Sequence, residues 1–216
     1  MTSVPRVVLA SRNQHKVGEI RRILKEAGAV VDLVSVAEFS GVPDVVETGL
    51  TFTENALLKA REVAAATGLP ALAEDSGIST DALNGMPGVF SARWSGRHGD
   101  DVANLELLLA QLRDVPDYRR GAAFVCVAAL VVPAGTTPGL VTPATPEAVA
   151  GPAEVVEEGR VDGHLIREPR GSGGFGYDPI FVPEGHDRTT AEMSAEEKDA
   201  LSHRGRAMRA MAAHLS

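Results

Sequence analysis

The run Gly171-Ser-Gly-Gly-Phe-Gly-Tyr-Asp-Pro-Ile-Phe-Val182 constrains this chain more than any other stretch. Its Gly171-x-Gly173-x-x-Gly176 spacing matches the glycine pattern of a dinucleotide-binding loop, but its setting excludes that fold. Such a loop must leave a strand and open a helix, so that the helix N-terminus meets a pyrophosphate. Here Arg167-Glu-Pro-Arg170 precedes the glycines, and Tyr177-Asp-Pro-Ile-Phe-Val182 follows them. Pro179 and the β-branched and aromatic residues after it favour a strand. The block therefore reads as a glycine-rich loop entering a strand, with Phe175, Tyr177 and Asp178 at its tip. Glycines let a backbone approach a flat ligand closely. An aromatic ring can stack on a base and a carboxylate can accept from ring N–H groups, which points to reading a base rather than cradling a phosphate.

The remaining composition limits the class. A chain of 216 residues with 44% hydrophobic residues supports a packed core without staples, and with only 4% aromatics that core rests on Ala, Val and Leu. The formal net charge of −8 excludes a basic nucleic-acid footprint and disfavours an anionic membrane surface. It leaves room for a small anionic ligand held by a local cluster of cations. Cys126, the single cysteine, lies in the apolar run 122–132 and is expected in the core; it permits no disulfide framework within one chain. The N-terminus enters Arg6-Val-Val-Leu-Ala10 directly, without the apolar stretch and cleavage site of a signal peptide. No apolar run is long enough to span a bilayer. A cytoplasmic protein is the expectation.

Along the chain, Val4–Ala10 reads as a strand and Lys16–Ala27 as a helix, with turn and cap chemistry at Ser11–Asn13. Val30–Val36 is a second strand. Thr51-Phe-Thr-Glu54 fits a capping box for a helix that stops at Gly68-Leu-Pro70. Ala71–Ala73 reads as a short strand ending at Glu74-Asp-Ser-Gly77. Asp100 or Asp101 caps a helix with Leu105, Leu108, Leu109 and Leu112 on one side, and Gly121–Val132 is a long strand. Residues 133–152, rich in Pro, Thr, Gly and Ala, read as a surface excursion without chemistry. Ala153–Leu165 returns as strand, Ser194-x-x-Glu197 is another capping box, and Gly205–His214 is a final helix. Helices and strands alternate first and strands dominate later, which implies an α/β fold with a mixed sheet.

Four groups carry candidate chemistry. Ser11-Arg12-Asn13-Gln14-His15-Lys16 lies between a strand and a helix, where free N–H groups and a positive helix end suit phosphate; ordinary helix capping explains the same residues. Asn55 and Lys59, four apart, share a helix face, and Glu47 precedes that helix in a loop where it can ligate a metal; a solvated lysine is the plainer account. Glu74-Asp75-Ser76-Gly77 follows an apolar strand, where α/β proteins bind ligands. Its hard oxygens suit Mg²⁺, and adjacent carboxylates can raise one pKa towards that of a useful base; a β-turn accounts for it equally well. Lys198 with Ser202-His203-Arg204-Gly205 can hold a purine carbonyl or a phosphate, or can complement a helix C-terminus. Together the groups supply phosphate donors, a metal pair, a base-reading loop and a basic junction, the requirements of a nucleoside triphosphate.

At these residues the chain resembles the inosine triphosphate pyrophosphatase family, the non-canonical purine NTP pyrophosphatases. The resemblance runs from Val7 to about Met208 through five ordered blocks: Ser11-x-Asn13-x-x-Lys16, Glu47 through Lys59-Ala60, Glu74-Asp-Ser-Gly77, Gly173 through Phe181, and Glu197-Lys198 through Ser202-His-Arg-Gly205. It implies an elongated mixed β-sheet with flanking helices, one domain with two lobes around a cleft, and a homodimer. It implies that residues 11–16 and Lys59 hold the triphosphate, that Glu47 and Asp75 place Mg²⁺, and that Asp75 is the base for water. Ser76 would contact substrate. Phe175, Gly176, Tyr177 and Asp178 would line the base pocket, completed by Lys198, His203 and Arg204. Many bacterial members carry Asp where this chain has Glu74, which leaves the metal role of Glu74 open.

The implied activity is hydrolysis of ITP, dITP and XTP to monophosphate and pyrophosphate, which keeps deaminated purines out of DNA and RNA. Donors such as His203 and Arg204 accept a 6-oxo group and are left unpaired against a 6-amino group, which disfavours ATP. Two other classes remain: a nucleotide-binding module without turnover, and a Maf-like pyrophosphatase acting on pyrimidine or modified nucleotides.

Overall fold

The computed structural model describes residues 4–135 and 152–215. Residues 136–151, most of the expected surface excursion, lie outside that range. Strands β1 (Arg6–Leu9), β2 (Asp32–Ser35), β3 (Ala71–Thr80), β4 (Gly121–Val132), β5 (Ala153–Leu165) and β6 (Phe181–Pro183) form one sheet in the order β2-β1-β3-β4-β5-β6. β1 runs parallel to β2, with Val8 opposite Val34, and parallel to β3, with Val8 opposite Ala71. β5 and β6 are antiparallel, with Leu165 opposite Phe181, so the sheet is mixed as expected. Helices α1 (Gln14–Glu26), α2 (Phe52–Thr67), α3 (Asp101–Gln111), α4 (Ala195–Leu201) and α5 (His203–Ala212) complete the fold.

The chain divides into two compact units. One comprises Met1–Asp75, Val127–Glu158 and Gly205–Ser216; the other comprises Ser76–Cys126 and Gly159–Arg204. In the first, the β-branched and leucine side chains Val7, Val8, Leu9 and Leu72 are buried. α1 buries Val17, Ile20 and Leu24, a spacing of three and four residues that keeps one helical stripe inward. In the second, the leucines of α3 (Leu105, Leu108) and Leu112 pack with Ile78, Leu165, Tyr177, Ile180 and Phe181. Cys126 is fully buried.

The helix ends follow local chemistry. Asn13 caps α1, its side chain accepting from the His15 and Lys16 amides at 3.0 and 3.2 Å. Thr51 caps α2 and Gly68 ends it in the left-handed region at φ 68°. The box at α2 is only half formed: Glu54 reaches the Leu50 amide at 2.6 Å. At α4 it is complete, with Ser194 and Glu197 each satisfying the other's amide.

Three boundaries differ from expectation. β3 does not stop at Ala73; Glu74-Asp75-Ser76-Gly77 continue it to Thr80. The turn chemistry of those residues yields to the sheet because Gly77 admits a close approach: a Cβ there would lie 2.6 Å from the Gly88 carbonyl oxygen. Ser91 then accepts the Ile78 amide at 2.9 Å and donates to the Gly88 carbonyl at 2.6 Å. Second, the strand expected from Tyr177 begins at Phe181, after a 3-10 turn over Asp178–Ile180. The Asp178 carboxylate draws that turn in by accepting the Phe175 amide at 2.8 Å. Third, the last helix begins at His203 rather than Gly205, so His203 and Arg204 sit in its first turn. The Arg204 charge there opposes the dipole of this helix instead of complementing it.

Candidate active site

The first set of side chains belongs to the first unit. The Lys59 ammonium, on α2, donates to Glu47 Oε1 at 2.7 Å and to Asp75 Oδ1 at 3.1 Å. Asn55, one helical turn earlier, donates to Asp75 Oδ2 at 3.2 Å. Its amide oxygen accepts the Gly49 amide at 2.8 Å, tying the Glu47 loop to the helix. Gly49 is required there, since a Cβ would stand 2.6 Å from Asn55 Oδ1. A strand sends successive side chains to opposite faces, and the neighbouring carboxylates take different partners: Glu74 is buried and paired with Lys16, Asp75 with Lys59.

The residues before α1 are partly spent on structure. Ser11 is held through its carbonyl, which accepts the Ser35 hydroxyl at 2.8 Å. Asn13 is the helix cap. Arg12 turns to the Glu47 loop, donating to Asp44 at 2.8 Å and to the Val42 carbonyl at 2.6 Å. Gln14 and His15 are exposed in the first turn of α1.

Electrostatics set the chemistry of this set. Burial pushes the Asp75 carboxyl up; the Lys59 ammonium pulls it back and the Glu47 carboxylate pushes it up again, leaving it above the ordinary aspartate value. Burial alone would lower Lys59, but Asp75, Glu47 and Glu74 outweigh it and raise Lys59 above the ordinary lysine value. The pair thus behaves as a crowded carboxylate site held together by one cation. Two hard carboxylates on Glu47 and Asp75 suit Mg²⁺, which keeps several waters and completes its shell with phosphate oxygens. Among the described residues no group of three His, Cys, Asp or Glu side chains converges to hold a metal.

The second set belongs to the second unit. Phe175 is 68% exposed and the Lys198 ammonium lies 4.9 Å above its ring. Lys198 also donates to Asp178 Oδ2 at 2.5 Å. The Gly176 amide donates to Asp101 Oδ2 at 3.0 Å. Tyr177 departs from the expected tip: its ring is buried in the core and its hydroxyl donates to the Ser91 carbonyl at 2.8 Å. Burial, reinforced by Asp101, pushes that hydroxyl up, so it stays a neutral donor. Asp178 is also buried, its oxygens accepting from Phe175, Lys198 and Thr190 rather than facing outward. The glycines likewise serve internal approach. A Cβ on Gly174, at φ 73°, would run into the Asp178 carboxylate. The His203 ring stacks on Phe124 at 5.1 Å, and Phe124 meets Phe181 edge-on at 4.7 Å. Arg204 and Ser76 are half-buried.

The structure therefore gathers Lys16, Glu47, Lys59 and Asp75 in one unit, and Phe175, Asp178 and Lys198 in the other. Sequence reasoning missed Asp101, Phe124 and Thr190 as supports. None has a local signature, because each acts on a residue more than ten positions away. Asn55 was visible only as the partner of Lys59 on one helix face.

One unit carries a carboxylate pair closed on a lysine, and the other an exposed aromatic ring under an ammonium, chemistries suited to a phosphate and to a flat ring respectively. The chain belongs to the Ham1 family, which it matches over residues 7–214. It is 55% identical over 206 residues to the dITP/XTP pyrophosphatase of Streptomyces coelicolor, covering 95% of this chain and 94% of that one. The crystal structure of a nucleoside-triphosphatase (dITP/XTP pyrophosphatase) from Mycobacterium abscessus aligns with TM-score 0.77 at 54% identity, covering 95% of this chain and 97% of that one. A HAM1 protein from Coxiella burnetii aligns with TM-score 0.83 at 42% identity, covering 97% and 98%.

Proposed function

We propose that this chain hydrolyses ITP, dITP and XTP to the nucleoside monophosphate and pyrophosphate, with Mg²⁺ as cofactor, and so keeps deaminated purines out of DNA and RNA. The observation that carries the reading is the Glu47–Lys59–Asp75 arrangement, a phosphate-seeking ammonium between two hard carboxylates. The 55% identical relative from Streptomyces coelicolor, named dITP/XTP pyrophosphatase, supports it.

Glu47 and Asp75 would hold the metal. When bound, Mg²⁺ supplies charge neutralisation of the phosphates. Lys16 and Lys59 bind phosphate oxygens as point charges, and the Ser11 hydroxyl and the Asn13 side-chain amide add donors. Asp75, its pKa raised by burial, is a stronger base than an ordinary aspartate and takes a proton from the attacking water. The water oxygen bonds to the α-phosphorus as the bond to the bridging oxygen breaks, and pyrophosphate leaves with the electron pair. Ser76 contacts the substrate beside Asp75. Phe175 stacks on the purine, and Lys198, His203 and Arg204 offer donors to the 6-oxo group. The same reading carries a homodimer, drawn from the family resemblance, and a cytoplasmic location, the expectation from the sequence; among the described residues no helix is long and apolar enough to cross a membrane.

The test is product analysis with Mg²⁺ over ITP, XTP, dITP, GTP, ATP and dUTP, with the oligomeric state taken by light scattering. Pyrophosphate and monophosphate from ITP and XTP, with slow ATP and GTP, is the expected result. Turnover mainly of pyrimidines moves the chain to the Maf-like class, and binding without turnover makes it a nucleotide-binding module.

A further inference from the structure

We propose that Lys59 keeps the Glu47–Asp75 carboxylate pair closed to free divalent metal, so that metal loads only together with a polyphosphate that draws the lysine away. The inference rests on the function proposed above for what the site binds. Its geometry is independent of that reading. The ammonium contacts both carboxylates, at 2.7 and 3.1 Å, and the side chains of Lys59, Glu47 and Asp75 are only 14%, 28% and 12% exposed. The second Asp75 oxygen is taken by Asn55 at 3.2 Å. The neighbouring Glu74 is occupied by Lys16. Among the described residues no further acidic, His or Cys side chain joins the pair into a group that could hold a metal.

A free divalent ion arriving here meets two carboxylates already half neutralised from within. If Lys59 stays, two cations share one crowded site. If Lys59 leaves, a largely buried ammonium loses both counter-charges, which is costly. A triphosphate removes the conflict, because its oxygens take the ammonium as the metal takes the carboxylates. Lys16 and Glu74 present the same exchange one residue away. Metal and polyphosphate then bind with positive coupling, which by linkage is reciprocal. Lys59 is in this account the residue that sets the order of loading, in addition to being a phosphate ligand.

The probe is Mn²⁺, titrated into the nucleotide-free full-length chain and followed by electron paramagnetic resonance and calorimetry. The unsubstituted chain is expected to bind Mn²⁺ weakly. Lys59→Met and Lys59→Gln are expected to bind one ion about tenfold tighter or more, within the usual span of such couplings. Adding Glu47→Gln to either variant should abolish the gain, which assigns it to the carboxylate pair. Gln keeps an amide donor where Met has none, so Lys59→Gln is the variant to read where Met fails to fold, and thermal melts check both. Equal Mn²⁺ affinity in the unsubstituted chain and the folded variants, or a gain that survives Glu47→Gln, overturns the proposal. Failure of the product analysis on purine triphosphates would sink the proposed activity and leave the Mn²⁺ comparison readable on its own.

Discussion

Thr190 donates its hydroxyl to the Asp178 carboxylate at 2.8 Å, with both residues buried. The other Asp178 oxygen accepts the Phe175 amide and the Lys198 ammonium. Asp178 therefore organises the exposed ring and the cation above it, and Thr190 fixes how Asp178 is turned. Thr190→Val removes one donor to a buried carboxylate, which costs about 1–3 kcal/mol of stability. The expected kinetic signature is a raised KM for ITP with a smaller change in kcat, because the proposed purine-binding side is loosened while Asp75, the proposed general base, is untouched. Thr190→Ser, which keeps the hydroxyl, should restore KM. Steady-state kinetics with thermal melts on both variants decides it; a Thr190→Val protein with unchanged KM would reduce Thr190 to a packing residue.

Asp75 is held above the ordinary aspartate value by burial, with Glu47 adding to the shift and Lys59 opposing it. As the proposed base it must be ionised, so on that reading kcat/KM should fall as pH drops through a limb displaced upward from that value. The stability sign is opposite to that of a carboxylate whose folded pKa is lowered. The folded state binds the proton more tightly than the unfolded chain, so this group costs stability at pH above its folded pKa. The cost disappears as pH falls below the unfolded value. Asp75→Asn should therefore abolish turnover, shift the acid limb out of the profile of any residual rate, and leave the melting temperature at neutral pH no lower than about 1 kcal/mol of destabilisation implies. A pH–rate profile and a melt at two pH values test both signs.

Much of the fold was legible because its signals are local. The alternation of apolar runs and caps placed β1, α1, α2 and α4 to within a few residues, since Asn13, Thr51 and Ser194 accept amides two or three positions away and Gly68 donates to the Ala64 carbonyl four positions back. The candidate site stands out in the sequence as ordered motif blocks, but the state of its residues does not. Glu74-Asp-Ser-Gly77 has turn chemistry, and only the sheet and the close approach at Gly77 make it strand. Tyr177 and Asp178 follow a glycine loop and read as a presented tip. Their burial depends on Ser91 and Thr190, distant in sequence. Arg12 reads as a phosphate ligand by position, and its commitment to Asp44 and Val42 becomes visible only once the loop is folded.

Arg120 is a buried cation that the chemistry does not use. Its guanidinium donates to the carbonyls of Leu165, Leu112 and Ile166 at 2.8, 2.7 and 3.0 Å. Burial, followed by the like charge of Arg167, lowers its pKa. It ties the residue after α3 to the end of β5, and its loss removes a donor from three carbonyls, two of them in buried bonds. Arg120→Met should destabilise by about 3 kcal/mol or more, read as a lower midpoint in urea. Because Arg120 touches none of the proposed substrate ligands, KM for ITP in the folded variant should stay within error of the unsubstituted chain.

Phe175 offers the sharpest test of base recognition. A large aromatic ring that is 68% exposed contributes little to a core, yet its loop is pinned on both sides, by Asp178 at the Phe175 amide and by Asp101 at the Gly176 amide. The Lys198 ammonium covers one ring face, which leaves the other for a purine. Stacking of a base on an aromatic side chain is worth about 1–3 kcal/mol. Phe175→Ala should accordingly lower kcat/KM for ITP by about 5- to 150-fold, and Phe175→Trp should retain most of it. Inorganic triphosphate has no base, so its inhibition constant should be the same in all three proteins. A parallel loss of triphosphate affinity in Phe175→Ala would mean that the ring supports the phosphate side as well, and the assignment of Phe175 to the base would fail.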